Sequence, residues 1–413
     1  MTANAAESPP NMTLFSDAFV EDPFPLVAHL RETDPCHYVD DMFFWFVTRH
    51  DDVKWLLHDT DVATPDVSVW EFHTEPDKGS LGEWLADNSL LTLDTENHAR
   101  VRRLVSAAFT PKAIRRKENQ IQEVVDQIAA PLHGRTGVVD MMAELTDPVP
   151  NTVISRITGI PPEGGDEVHF RTIAQAVIGG VLPFADADSQ VAAREALAEL
   201  VDWVRVLADE RAAEPRDDLI SDVVHTNDMG DRMTSNEIVS LVTGLISAGS
   251  ETTSLAGLIA ITKLLEHPDV MERLRADRTL VPGAVPEIIR LGMSGPGALP
   301  RYATRDFELR GKTVRKGQML MLSFGGASTD PAVFTDPLAF DIGRDNSNML
   351  NFGFGPHYCL GVHLAKTELG CIVDALLDVL PSTATIDADA MEFRPMGMFK
   401  RPVTLPVDFG SGL

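Results

Sequence analysis

The residues that promise chemistry gather in four places along the 413-residue chain. The first is Phe352-Gly353-Phe354-Gly355-Pro356-His357-Tyr358-Cys359-Leu360-Gly361. Glycines at 353, 355 and 361 let this backbone turn tightly and approach another group closely. Cys359 stands just before an amphipathic helix expected over 361–380, whose N-terminal dipole favours a thiolate. A lone thiolate in such a loop suits an axial ligand to haem iron. Two other readings stand beside it. One is a buried packing cysteine. The other is a nucleophile pair with His357, which positions i and i+2 in a loop need not bring together.

The second place is Ala248-Gly249-Ser250-Glu251-Thr252-Thr253, which interrupts a long apolar run. The small Ala-Gly pair lets a ligand approach the backbone. A buried acid followed by a hydroxyl is costly unless it is used or paired. The alternative is a helix distortion in which Thr252 bonds back to the preceding turn. The third place is His98 and Arg102, four apart and so on one helical face, where two basic groups can clamp an anion or simply form a basic surface. The fourth is Glu287 with Arg290, an acid and a base at i and i+3.

These residues need elements to hold them. Thr234-Ser235-Asn236-Glu237 is a capping-box start, and Pro268 stops the run that follows, so one helix is expected over 234–266. At 1.5 Å per residue it is roughly 48 Å long, enough to cross a whole domain. Its middle is apolar on nearly every face, which predicts burial. Short helices are expected at 26–32 and 50–59, with an aromatic, β-branched strand at 43–48 between them. Residues 97–219 read as mostly helical with proline breaks, 304–322 as short strands, and 402–409 as a final strand. The total is mainly α with minor β. Residues 1–12 form a loose polar lead-in, and no linker or repeat divides the rest, so 13–413 reads as one domain.

Composition narrows the partners. Hydrophobic residues make 44% and charged residues 23%, ordinary for a soluble globular chain. The formal charge of −27 repels phosphate backbones and anionic lipid, which argues against nucleic acid and membrane. Three cysteines without a CxxC pair supply neither a disulfide framework nor a cysteine zinc site. Met1 to Pro10 carry no basic n-region and no apolar h-region, so a cytoplasmic protein is expected. Cys36 and Cys371 read as packing thiols, and Met319 and Met321 as strand packing.

The Phe352–Gly361 loop resembles the haem-binding loop of cytochrome P450, and three other segments agree in that family's order, so the resemblance spans roughly residues 12 to 409. It implies the cytochrome P450 fold, haem b as cofactor and Cys359 as the iron ligand. Glu287 and Arg290 resemble the family's Glu-x-x-Arg helix, completed by Arg344 as a structural ion-pair network. His98 and Arg102 match its His-x-x-x-Arg motif; with Arg301 and His357 they are implied to bind the haem propionates. The Ala248–Thr253 segment resembles the oxygen-activation motif, with Glu251 and Thr252 as its acid–alcohol pair.

The implied activity is a monooxygenase that uses O2 to hydroxylate a hydrophobic small molecule. Electrons would come from a separate ferredoxin-type partner. Residues 100–117 carry Arg100, Arg102, Arg103, Lys112, Arg115, Arg116 and Lys117 with no acid, and Lys366 follows Cys359, which suggests a docking patch for an acidic protein. A peroxide-driven peroxygenase of the same fold and a haem-thiolate sensor or electron carrier are the rivals. Glu251-Thr252 speaks against both. Family analogy lines the substrate pocket with Val69, Trp70, Phe72, Leu90, the region 171–184, Leu245, Leu299 and Phe399.

Overall fold

The computed structural model describes residues 14, 16, 19 and 22–411, apart from 81–82, 85–87, 91–92, 94, 161–165, 167, 171, 174–175, 178–186, 229, 293–297 and 397–398. The lead-in over 1–12 and most of 171–184 therefore lie outside the described residues. The chain is 58% helix and about 11% strand, in keeping with the mainly α expectation.

The elements run in this order: α1 (Phe24–Thr33), β1 (Cys36–Val39), β2 (Phe44–Val47), α2 (His50–His58), β3 (Ala63–Thr64), α3 (Thr95–Ser106), α4 (Pro111–Ala129) and β4 (Val138–Asp140). Then come α5 (Pro148–Thr158), α6 (Ala187–Ala213), α7 (Leu219–His225), α8 (Ser235–Glu266), α9 (Pro268–Ala276) and α10 (Val281–Gly292). They are followed by β5 (Ala298–Ala303), β6 (Phe307–Leu309), β7 (Lys312–Val314), β8 (Met319–Ser323) and α11 (Phe324–Ser328). The last are α12 (Val362–Val379), β9 (Thr385–Ile386), β10 (Phe393–Met396), β11 (Phe399–Pro402) and β12 (Pro406–Asp408). Packing divides the chain into two compact units. One comprises Met1–Glu75, Pro286–Cys359 and Met398–Lys400; the other comprises Pro76–Val285, Leu360–Gly397 and Arg401–Leu413.

The first unit is built on a five-stranded sheet of order β1-β2-β8-β5-β3. The β2–β8 pairing is parallel and the others are antiparallel. All four residues of β2 are buried, because side chains of alternating direction enter two different cores. Trp45 and Val47 join Leu320, Leu322, Val53 and Leu56 of α2. Phe44 and Phe46 join Met321 and Leu26, Val27 and Leu30 of α1. Phe43, expected as strand, instead stands at φ 56 and closes the turn ahead of β2. The β6–β7 hairpin turns at Arg310 and Gly311, with φ 51 and 76. Two positive φ values are what a two-residue hairpin loop needs to match strand twist.

The second unit is helical around α8, whose boundaries follow the sequence signals. Thr234 Oγ1 accepts from Glu237 N at 3.2 Å, and Glu237 Oε2 accepts from Thr234 N at 2.7 Å. The helix packs against α5, α6 and α12, and α12 packs in turn against α4. By length and composition alone α8 could cross a membrane, but most of its apolar window is buried inside the protein, as for a core helix. A small sheet of order β4-β12-β9 closes this unit, with Val407 opposite both Val139 and Ile386. The final strand is shorter than the 402–409 expected, and Val403 N instead bonds to Glu392 O at 2.8 Å.

Candidate active site

The cysteine loop through Cys359 belongs to the first unit, and Leu360 and Gly361 to the second. Gly353 and Gly355 stand at φ 74 and 76, which L side chains avoid. At Gly355 a Cβ would come within 2.8 Å of His58 Cα and 3.0 Å of Leu57 O, so the loop lies directly on the end of α2. Lys54 of the same helix sits 4.8 Å from the Phe354 ring. The loop is closed by Cys359 N donating to Phe352 O at 2.8 Å and Gly353 N donating to Leu350 O at 2.7 Å. Gly361, expected as a third corner, has φ −84 and open space where a Cβ would go, so its backbone asks for no glycine. It caps α12, with Ala365 N bonded to its carbonyl at 2.8 Å.

Cys359 is half-exposed, whereas Cys36 and Cys371 are buried. Burial pushes both of those thiols up to about 12, so neither is a thiolate at neutral pH. Arg301 lies on β5 opposite Leu320 and is 5% exposed. Its Nη1 donates to Pro300 O at 2.8 Å, and no carboxylate pairs with it among the described residues. Burial lowers this guanidinium to about 10. A buried cation so placed is stable only with an anion to meet it. His357 is half-buried in the short turn Gly355–His357.

The ion-pair network is also in the first unit, and its geometry is complete. Arg290 Nε and Nη2 grip Glu287 Oε2 and Oε1 at 2.8 and 2.7 Å, and both side chains have no exposed surface. Arg290 Nη1 also donates to Ser328 O at 2.8 Å and Pro337 O at 2.6 Å. Arg344 Nε and Asp341 N reach Glu287 Oε1 at 3.2 and 3.0 Å. Burial alone would raise the Glu287 carboxyl; the bonds from Arg290 and Asp341 outweigh it and hold it below its ordinary value.

The second unit holds the remaining candidates. His98 and Arg102 lie four apart on α3, as expected. His98 is buried, and burial together with the Arg102 charge lowers its pKa, so it is a neutral imidazole at pH 7. Glu251 and Thr252 lie in an unbroken helix and are not buried: Thr252 is exposed and Glu251 half-buried. The buried face carries Ser250, Thr253, Ser254 and Gly257's neighbours, while Leu245, Ala248 and Thr252 form an accessible stripe at helical spacing. Thr252 Oγ1 donates back to Ala248 O at 2.6 Å, the bond weighed above as the alternative. That bond uses the hydroxyl proton and leaves its lone pairs as acceptors on the accessible stripe.

The basic strip is smaller than its sequence suggests. Arg100 pairs with Asp231 at 3.1 Å and with Glu237. Arg103 pairs with Asp228 and Asp231. Lys117 is buried and reaches Asp217 at 3.4 Å. Acids far away in sequence neutralise these three, which a local count does not see. Lys112, Arg115 and Arg116 stay exposed on α4, with no ion-pair partner among the described residues. The positive charge of Arg115 is felt, with that of Lys366, at His363 on α12. Sequence reading also missed Glu368, a fully buried carboxyl on α12 raised to about 8 by burial; its position on the packed side of an amphipathic helix was the available signal.

Each unit's donors fit a haem. The first offers a half-exposed thiol in a glycine-turned loop and a buried guanidinium with no carboxylate partner among the described residues; the second offers a neutral imidazole beside an arginine. A sequence model described as Cytochrome P450 matches residues 44–380. Nocardicin C N-oxygenase of Nocardia uniformis subsp. tsuyamanensis is 33% identical over 402 residues, covering 95% of this chain and 97% of its own. Cytochrome P450 monooxygenase PikC of Streptomyces venezuelae is 33% identical over 417 residues, covering 98% and 96%. The crystal structure of epothilone D-bound cytochrome P450epoK superposes with a TM-score of 0.85 at 28% identity, covering 97% of this chain and all of that one.

Proposed function

The chain belongs to the cytochrome P450 family of haem-thiolate monooxygenases, which bind haem b, and from that premise we propose that it hydroxylates a hydrophobic small molecule with electrons from a separate ferredoxin-type protein. The overall balance is R–H + O2 + 2 e− + 2 H+ → R–OH + H2O. When bound, the haem supplies the activation of O2. Cys359 would ligate its iron, and His98, Arg102, Arg301 and His357 would hold its propionates through charge-assisted hydrogen bonds.

The observation that carries the reading is the accessible stripe of α8. Leu245 and Ala248 make it apolar, and the Thr252 hydroxyl is its polar interruption. With its own proton given to Ala248 O, this hydroxyl accepts a hydrogen bond and holds a proton donor in place. The neighbouring Glu251, half-buried, would pass protons inward from solvent. A sensor or an electron carrier needs neither group. Apolar substrates are supported further by the exposed ring of Phe72, 5.6 Å from Trp70, and by the relative cytochrome P450epoK, whose crystal structure holds epothilone D.

Thr252→Ala tests this. The variant is expected to bind haem and substrate and to consume NADH through its redox partners. Product per NADH should fall several-fold, with the missing electrons recovered as hydrogen peroxide, and Thr252→Ser should restore coupling. Glu251→Gln should slow O2 consumption itself. Undiminished product per NADH in Thr252→Ala would make the threonine merely structural and favour the rivals.

The electron donor would meet Lys112, Arg115 and Arg116 together with Lys366, not the whole strip from 100 to 117. Reversing the three exposed charges on α4 to glutamate should raise the ferredoxin KM on the order of tenfold, because charges at an interface rim act mainly on association. Added salt should mimic the effect in the parent protein. Turnover driven by peroxide should be spared. Identical ferredoxin kinetics in the triple variant would remove this patch from consideration.

A further inference from the structure

On the side of α8 away from Thr252, the long helix is gripped by a short π-helix, Met142–Thr146. Its wide turn is closed by Asp147 N donating to Met142 O at 3.0 Å. Such turns insert one extra residue into a helical path and shift the side chains that follow. Here two consecutive residues both reach α8. Thr146, fully buried, lies so close to Gly257 that a Cβ there would stand 3.0 Å from Thr146 Cγ2 and 3.3 Å from Thr146 Cβ. Asp147 accepts a short hydrogen bond through Oδ1 from Ser254 Oγ, and Ser254 is 1% exposed. Asp147 is itself held, since its carbonyl accepts from Asn151 Nδ2 at 2.7 Å.

Helix geometry sets what this grip controls. At about 100° per residue, Ser254 lies roughly 200° around α8 from Thr252. The two side chains thus leave the helix on opposite sides. Gly257 falls within about 60° of Ser254, so both grips act on the same side. A steric contact alone would stop α8 from approaching further but would allow it to rotate. A hydrogen bond to a carboxylate, roughly twice as strong as a neutral one, adds the directional element that resists rotation.

We propose that Asp147, through Ser254, is a positioning residue that fixes the rotation of α8 and so the direction in which Glu251 and Thr252 are presented. The proposal rests on the acid–alcohol reading above for its catalytic consequence, though not for the brace itself. Gly257 belongs to the same device, because a side chain there would press on Thr146, which would have to give by a few tenths of an ångström.

The test combines amide hydrogen exchange over 246–254 with coupling measurements on the holoenzyme. Asp147→Ala and Ser254→Ala should each speed exchange in that segment by roughly tenfold, as expected for loss of one charge-assisted hydrogen bond. Each should lower product per NADH and raise hydrogen peroxide, while the carbon monoxide spectrum keeps its thiolate form. The double variant should behave like either single one, because both remove the same bond. Asp147→Asn keeps an acceptor oxygen without the charge and should recover part of both properties. Equal damage from Asn and Ala, or exchange accelerated throughout the protein, overturns the proposal. Normal coupling in Asp147→Ala alongside uncoupling in Thr252→Ala also overturns it and leaves the acid–alcohol reading standing. If segment exchange rises but neither Asp147→Ala nor Thr252→Ala uncouples, the brace stands and the acid–alcohol reading falls.

Discussion

Cys359→Ala is expected to abolish the red-shifted Soret band of the reduced carbon monoxide complex and to bring monooxygenase turnover below detection. Cys359→His should lose the same band even if iron is retained, because a neutral imidazole cannot donate charge as a thiolate does. The structure makes this a choice among three cysteines. Cys36 and Cys371 are buried in packed cores, where their thiols are pushed up to about 12 and stay protonated. Cys359 alone is half-exposed, and it is held by a loop that turns through two positive-φ glycines. Cys36→Ala and Cys371→Ala should accordingly keep the band and differ only in stability. Persistence of the band in Cys359→Ala would end the ligand assignment.

The largest effect on stability is expected at the buried pair Glu287–Arg290. Each side chain is wholly removed from solvent; Glu287 is the carboxylate that Arg290 grips, and Glu287 is shared with Arg344. Glu287→Gln leaves the buried Arg290 charge uncompensated, and Arg290→Met leaves Glu287 with Arg344 and the Asp341 N–H at one oxygen only; each should cost about 3–5 kcal/mol. Arg290→Met also strips Ser328 and Pro337 carbonyls of their donor, so it should be the worse of the two. The double replacement should cost less than the sum of the single ones, since the second removes a charge already stranded. Chemical unfolding followed by fluorescence, with haem retention as a second readout, measures this. A loss below about 1 kcal/mol in both single variants, the scale of an exposed pair, would show that the network is not structural. The pH dependence has a definite sign. The Glu287 carboxyl is held below its ordinary value of 4.5 in the folded state. Its contribution is therefore complete above that ordinary value and is lost as pH falls through the lowered one. Glu287→Gln should flatten stability in that acidic window and leave its slope near neutrality unchanged.

Much of this protein is determined by local sequence, for physical reasons that act over a few residues. Thr234 and Glu237 start α8 and Pro268 ends it, because capping bonds and the missing proline N–H operate within one turn. The cysteine loop is legible because only glycine readily adopts the φ that residues 353 and 355 require. The i and i+3 spacing of Glu287 and Arg290 foretells that they can meet. Tertiary structure alone decided the rest. It paired Arg100 and Arg103 with acids more than a hundred residues away and buried Lys117, reducing the basic strip to Lys112, Arg115 and Arg116. It placed Thr252 on the open side of α8, although an apolar run had suggested burial all round. It also brought Asp147 to Ser254 across 107 positions. Charge and burial at these sites depend on which distant surface each side chain meets, and that is settled only when helices and sheets pack against one another.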